Sequence, residues 1–249
     1  MKPFFWGIIC ALTATVVQAE PCAEMEANLH PDLTVLTCNE AIERGALAGT
    51  NLAEALIARG VALRALGQFD KSEADLLSAL SIFGEDTNAL RMLAWTYRSM
   101  GRPYISEIIY SSVLERDPHW QGWLSRCVVR TDLQKYEAAI LDCDRALEES
   151  NQTPEAGSVL QDIIFFKALA LNELRRPNQA YQLAQTGLDQ PDISGRIFVQ
   201  ALVALWYAER DDEIPDLLAW AFEKYPNDAG LNRFVEVSGS DWPIQEPTE

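Results

Sequence analysis

Four cysteines carry the first chemical signal. The spacing from Cys22 to Cys38 is repeated from Cys127 to Cys143; a fifth, Cys10, lies in an apolar N-terminal stretch. Matched pairs can form disulfides, pack as small buried thiols, or share a metal. Metal binding has least support, because there is no C-x-x-C and no C-x-x-C-H. The two histidines, His30 before Pro31 and His119 after Pro118, read as solvated turn residues rather than general bases. Asp211-Asp212 and Glu148-Glu149 read as helix ends or solvated faces, and Asp142 and Asp144, on either side of Cys143, are expected to face solvent. Walker, G-x-S-x-G, H-E-x-x-H and G-x-G-x-x-G patterns are missing from the sequence. The expectation is a non-catalytic chain with no metal and no cofactor.

Composition narrows the class of partner. The 249 residues hold 37 acids against 20 Lys and Arg, a formal charge of −17, with 48% apolar residues. That apolar share supports a folded core. The acidic balance argues against nucleic acid, which needs a basic footprint, and against docking on anionic lipid. A protein or peptide partner is expected.

Residues 1–19 have the pattern of a signal peptide. Lys2 is a short positive head, Phe4 to Val17 an apolar run, and Val17-Gln18-Ala19 suits cleavage after Ala19. The run is short of the ~20 residues a spanning helix needs, so no integral membrane segment is expected after cleavage. Neither Ile9-Cys10 nor Pro21-Cys22 fits a lipoprotein site. The mature chain would begin at Glu20 and be one charge more acidic, since Lys2 is lost with the leader. The expected location of this exported bacterial protein is the periplasm or the medium.

The elements that must position these residues show as a repeat. Pairs of a mostly small residue and a large apolar one recur at Ala41-Ile42, Ala79-Leu80, Val113-Leu114, Ala146-Leu147, Gly187-Leu188 and Ala221-Phe222, their second members 38, 34, 33, 41 and 34 apart. That period fits two short helices and two turns. Leu56, Gly60, Leu63 and Leu66 share a helix face, as do Leu90, Leu93, Ala94 and Tyr97. Gly67-Gln68 and Gly101-Arg102-Pro103 break the halves, and Pro118 and Pro226 stop the second helices. With Ala94, Tyr97, Ser106, Tyr110, Val113 and Pro118 in one unit, and their counterparts in four more, the chain resembles the tetratricopeptide repeat family.

The resemblance implies an all-α fold, a right-handed superhelical solenoid of antiparallel helix hairpins. Its units would be a degenerate one at 20–48, then 53–86, 87–120, 120–153, 161–194 and 195–228. A capping helix would follow at 229–237 and a flexible acidic tail at 238–249. Residues 150–159 would be either a longer helix or a loop. On this template Cys127 and Cys143 fall at the middle of two helices turning around Gln134, the slots held elsewhere by Gly60/Leu76, Ala94/Tyr110 and Ala168/Ala184. Two intra-repeat disulfides, Cys22–Cys38 and Cys127–Cys143, are expected, with buried free thiols as the other reading.

In this family the inner face is lined mainly by the first helices. The family's groove places correspond here to Arg64; Asn88, Arg91, Trp95 and Arg98; Leu124, Val128 and Thr131; Phe165, Leu169 and Asn172; and Arg196, Val199, Trp206 and Tyr207. The strongest of these as a partner-binding groove are Arg64, Arg91, Trp95, Arg98, Leu124, Phe165, Trp206 and Tyr207. The plainer reading leaves the arginines solvated and packs the aromatics between repeats. The lysine–asparagine clamp of chaperone-tail-binding members is absent, its places being held by Ile57, Val61, Arg91 and Trp95. The implied function is a protein–protein interaction module that takes a peptide or envelope-protein partner in its groove. The alternative is a regulatory or assembly subunit that docks through its convex face or its ends.

Overall fold

The computed structural model describes residues 22, 27–45, 47–150, 156–190 and 193–239. The signal-peptide reading, Cys10, most of the acidic tail and residues 151–155 lie outside them. Twelve helices and no strand occur among the described residues. They divide into two compact units, one ending at Gly84 and one starting at Glu85.

The first unit holds α1 (Pro31–Glu43), α2 (Gly49–Ala65) and α3 (Phe69–Phe83). Cys22 and Cys38 are at disulfide distance, Cα to Cα 5.1 Å, and both are fully buried with Leu47, Ala55 and Ala58. Helices α2 and α3 form a hairpin whose middle is tight: a Cβ on Gly60 would come within 3.0 Å of Leu76 Cγ. That is closer than side chains normally pack, and Cγ is a branch point held in the core, so the slot favours glycine.

The second unit continues with α4 (Thr87–Ser99), α5 (Pro103–Arg116), α6 (Trp120–Asp132), α7 (Tyr136–Ser150), α8 (Ala156–Glu173), α9 (Pro177–Leu188), α10 (Gly195–Tyr207), α11 (Ile214–Lys224) and α12 (Ala229–Ser238). Of the segment with two readings, loop or longer helix, the part from Ala156 onward is helical. Asp86 caps α4 through the Ala89 amide, and Asp228 caps α12 through the amides of Gly230 and Leu231. Each cap satisfies N–H groups that have no partner within their own helix. His119 is a cap too: its Nδ1 accepts from the Gln121 amide at 3.3 Å.

One device ends every first helix. Beyond α2, α4, α6, α8 and α10 a residue in the left-handed region reverses the chain: Gly67, Gly101, Gln134, Arg175 and Glu209, with φ of 72°, 72°, 58°, 54° and 57°. In each case its amide and the next one return to carbonyls three and five residues back, as in Gln134 to Thr131 and Lys135 to Arg130. This is the Schellman arrangement, which satisfies the last carbonyls of the helix. Glycine takes this conformation freely, whereas Gln134, Arg175 and Glu209 adopt it at a cost.

The middles of the hairpins are fully buried: Ala94 against Tyr110, Cys127 against Cys143, Ala168 against Ala184. In the second unit each first helix packs on the next first helix, α4 on α6, α6 on α8, α8 on α10 and α10 on α12. Among the described residues no second helix packs on the next second helix. The stack of the second unit is therefore tied together along its first-helix side. The largest core lies at the C-terminal end, where Phe198, Leu202, Leu205, Ile214, Leu231 and Phe234 are buried together. There α12 packs on α10, with Leu231 and Phe234 in the shared core.

Candidate functional site

Side chains form rungs between successive first helices of the second unit. Between α4 and α6, Arg91 Nη2 donates to Gln121 Oε1 at 2.7 Å, and Arg98 donates from Nε and Nη2 to the Asp132 carboxylate at 2.6 and 3.2 Å. Between α8 and α10, Arg196 pairs with Asp162, and Asn172 Nδ2 donates to both the carbonyl and the side-chain oxygen of Gln200. The arginines also lie on rings. Arg98 is 4.9 Å above Trp95, Arg196 is 4.5 Å above Phe165, and Arg175 is 3.9 Å above Tyr207. A guanidinium so placed is attracted to the ring face and held flat. Trp206 instead meets Phe234 of α12 edge to face.

Arg91, Trp95, Arg98, Leu124, Phe165, Trp206 and Tyr207 all stand on first helices of the second unit, and each is half-buried. Arg64 stands on α2 of the first unit, also half-buried, with Nη2 donating to Asn28 Oδ1 at 3.1 Å. Trp95 packs against Tyr110 and Val129, Leu124 against the core around Cys127, and Phe165 and Trp206 against the C-terminal core. These residues thus keep one side on the core and one side open. Val128, Thr131 and Asn172 do not line the face: they are 3%, 8% and 1% exposed, turned between helices by a rotation that the repeat register cannot specify.

The arginines are not equivalent. Arg98 is neutralised by Asp132, with both side chains about one-third exposed. The guanidinium of Arg91 is bonded to a neutral amide, and no carboxylate among the described residues is paired with it.

Charge is sorted between the two sides of the second unit. The first helices α4, α6, α8 and α10 carry Arg91, Arg98, Arg126, Arg130, Lys167 and Arg196 against Asp132, Asp162 and Glu173. The second helices α5, α7, α9 and α11 carry Arg116, Arg145 and Lys224 against Glu107, Glu115, Glu137, Asp142, Asp144, Glu148, Glu149, Asp216 and Glu223. A chain of charge −17 thus has a side that is net positive.

Around the third hairpin the structure corrects one expectation. Asp142 does not face solvent: it is 2% exposed. Its carboxylate accepts from Arg126 Nε and Nη2 and from Arg130 Nη1, each at 2.8 Å. Even with these two arginines set aside, bases outnumber acids on the first helices of the second unit. Arg130 also reaches Glu107, which Lys135 meets at 2.6 Å. Burial pushes the Glu107 carboxyl up, but the hydrogen bonds from Lys135 and Arg130 outweigh it and hold it below the usual range. Asp144, one residue past Cys143, does lie near the surface, paired with Lys167. The same device stands in the first unit, where Arg59 forks onto Asp75 at 2.7 Å through both Nε and Nη2. The two Arg–Asp pairs have the same sequence spacing, each one place before the buried middle pair, Gly60/Leu76 or Cys127/Cys143. That spacing is the signal that could have revealed them. Cys127 and Cys143 are fully buried at disulfide distance, Cα to Cα 5.5 Å.

No group of three or more His, Cys, Asp or Glu side chains able to hold a metal occurs among the described residues. None of the helices searched is long and apolar enough to cross a membrane.

Residues 53–86, which span the α2–α3 hairpin, match the family model of the tetratricopeptide repeat. The family model thus identifies this hairpin as a tetratricopeptide repeat. Solved structures share its fold at low identity. The crystal structure of the APC/C hetero-tetramer Cut9–Hcn1 aligns with a TM-score of 0.70 and 12% identity over 84% of this chain. This chain spans only 40% of that one. YrrB, described as a TPR protein with an unusual peptide-binding site, aligns with a TM-score of 0.59 and 15% identity over 80% of this chain and 97% of its own. PilF of Pseudomonas aeruginosa aligns with a TM-score of 0.64 and 12% identity, covering 84% of this chain and 90% of its own. No curated protein sequence matches the chain. At these identities the likeness is one of fold, a helical-repeat solenoid.

Proposed function

We propose that this protein is an exported, non-catalytic interaction module that takes a peptide or envelope-protein segment on the first-helix side of its second unit. The observation that carries this reading is the sorted charge: a net-positive side on an acidic chain. On it Arg91 has no carboxylate partner among the described residues, and Trp95, Phe165 and Tyr207 are half-open. Arginine and aromatic anchors dominate protein interfaces. The signal-peptide pattern of residues 1–19 and the two cysteine pairs at disulfide distance support export, because disulfides persist in oxidising compartments.

The test uses the mature chain as bait on periplasmic extract, followed by binding assays with the captured partner. Arg91→Ala should weaken binding in a salt-dependent way, and Trp95→Ala should weaken it by ~2 kcal/mol or more. Thermal melts of each variant separate lost binding from lost folding. Normal binding by both folded variants would move the partner off this side.

A further inference from the structure

The opposite side of the second unit carries a surface of another kind. Tyr104, Ile105 and Ile108 on α5 are 66%, 40% and 69% exposed, and Leu141 on α7 is 64% exposed. Ile108 and Leu141 are separated by the same step as the buried Leu114 and its counterpart Leu147. They therefore occupy the same place on successive second helices. Helices α5 and α7 both pack on α6. Lys135, which leads into α7, bonds Glu107 of α5 and lies 5.7 Å from the Tyr104 ring. Lys135 thus links the start of α7 to α5, although the two helices do not themselves pack on one another. Single exposed aliphatics are ordinary, but several aligned on adjacent helices mark an interaction surface. By contrast, α4, α6, α8 and α10 bear no comparably exposed large apolar residue among those described.

Charge selects the occupant. Glu115 on α5 and Glu137 on α7 are exposed near the ends of this surface, on a side where, with the buried Asp142 set aside, acids outnumber bases eight to three. The same face of a second copy would bring like charge against like, and so would an anionic membrane or a nucleic acid. We infer that the α5–α7 face docks a positively charged amphipathic helix of a partner protein, its apolar stripe on Ile108 and Leu141 and its basic flanks on the surrounding acids. This surface is separate from the first-helix side, so the protein can hold two partners at once.

The experiment measures binding of a labelled amphipathic peptide of about 18 residues, five helical turns of leucines on one face and lysines on the other. The matching leucine–glutamate peptide is the control. The full mature protein should bind the lysine peptide, more weakly as salt rises, and should not bind the glutamate peptide. The double variant Ile108→Ser with Leu141→Ser should lose about tenfold or more in affinity. Its melting temperature should be unchanged, since both side chains are exposed. Trp95→Ala on the other side should bind the peptide like wild type. Unchanged binding by the double variant would overturn the proposal by showing attraction to bulk acidity alone. No binding, equal binding of both peptides, or a wild-type dimer that the double variant dissolves would overturn it as well.

Discussion

Replacing Asp142 by Asn should cost far more stability than replacing Asp144, although the two flank the same cysteine. The Asp142 side chain is 3% exposed, and those of its partners Arg126 and Arg130 are 13% and 19% exposed. The carboxylate accepts three charge-assisted hydrogen bonds. An asparagine can keep its oxygen toward Arg126 Nε and Arg130 Nη1, but its amide then points donors at Arg126 Nη2. The charge is also gone. Arg130 retains Glu107, whereas Arg126 retains only Ser111 Oγ and the Trp123 ring. Breaking a buried pair by removing one partner costs about 3–5 kcal/mol, chiefly because the remaining charge stays buried. For a chain of this size each kcal/mol is worth ~2–4 °C, so Asp142→Asn should melt roughly 6–20 °C below wild type. Asp144, 41% exposed and paired with Lys167, is a surface bridge of ~0–1 kcal/mol. Urea titration followed by circular dichroism and tryptophan fluorescence measures both. Equal losses, or an Asp142→Asn loss under ~1 kcal/mol, would refute the argument that the buried fork holds this hairpin.

Three further outcomes are expected. Denatured mature protein should show no free thiol, and removing the Cys127–Cys143 bond by Cys→Ser at both positions should cost ~3 kcal/mol, the loop-entropy value for a loop of about 15 residues. Gln134→Gly should stabilise by ~1 kcal/mol, because the left-handed turn at φ 58° no longer strains a Cβ; a loss in urea midpoint would contradict this. Acidification should destabilise the wild type more than Glu107→Gln. The native Glu107 carboxyl titrates below its unfolded range, so its stabilisation is complete above the unfolded pKa and disappears as pH falls through the native one. Matching pH profiles for the two proteins would remove Glu107 from that account.

The repeat was legible because its cause is periodic. Small residues at hairpin centres and large ones beside them recur wherever helices must approach closely, so Ala94, Cys127 and Ala168 could be placed once the repeat family's template was laid on the spacing. Gly67 and Gly101 marked two of the five reversals, and glycine's freedom is the reason. Arg175 and Glu209 gave no such mark, because there the tertiary stack imposes φ > 0 on residues that do not prefer it. Asp142 was misjudged for a related reason: residue type alone places an aspartate in water, and only its arginine partners on the preceding helix change that. The first-helix face was legible as a set of positions but not as side-chain directions. A register fixes a helix only to within a position or so, and that is enough to turn Val128 and Asn172 from the open side to the packed one. The outer apolar stripe at Ile108 and Leu141 was missed because, in sequence, it looks like ordinary helix periodicity.

The most direct test of a binding face on the first-helix side is a photo-crosslinking residue introduced at Leu124 of the full-length chain and irradiated in intact cells. Leu124 is half-buried on α6, between the Arg91–Gln121 rung and the Arg98–Asp132 rung along its helix. A discrete partner protein should crosslink there and should disappear when Arg91→Ala is added. A folded, exported protein that captures nothing at Leu124, or captures the same partner with and without Arg91, would contradict the account.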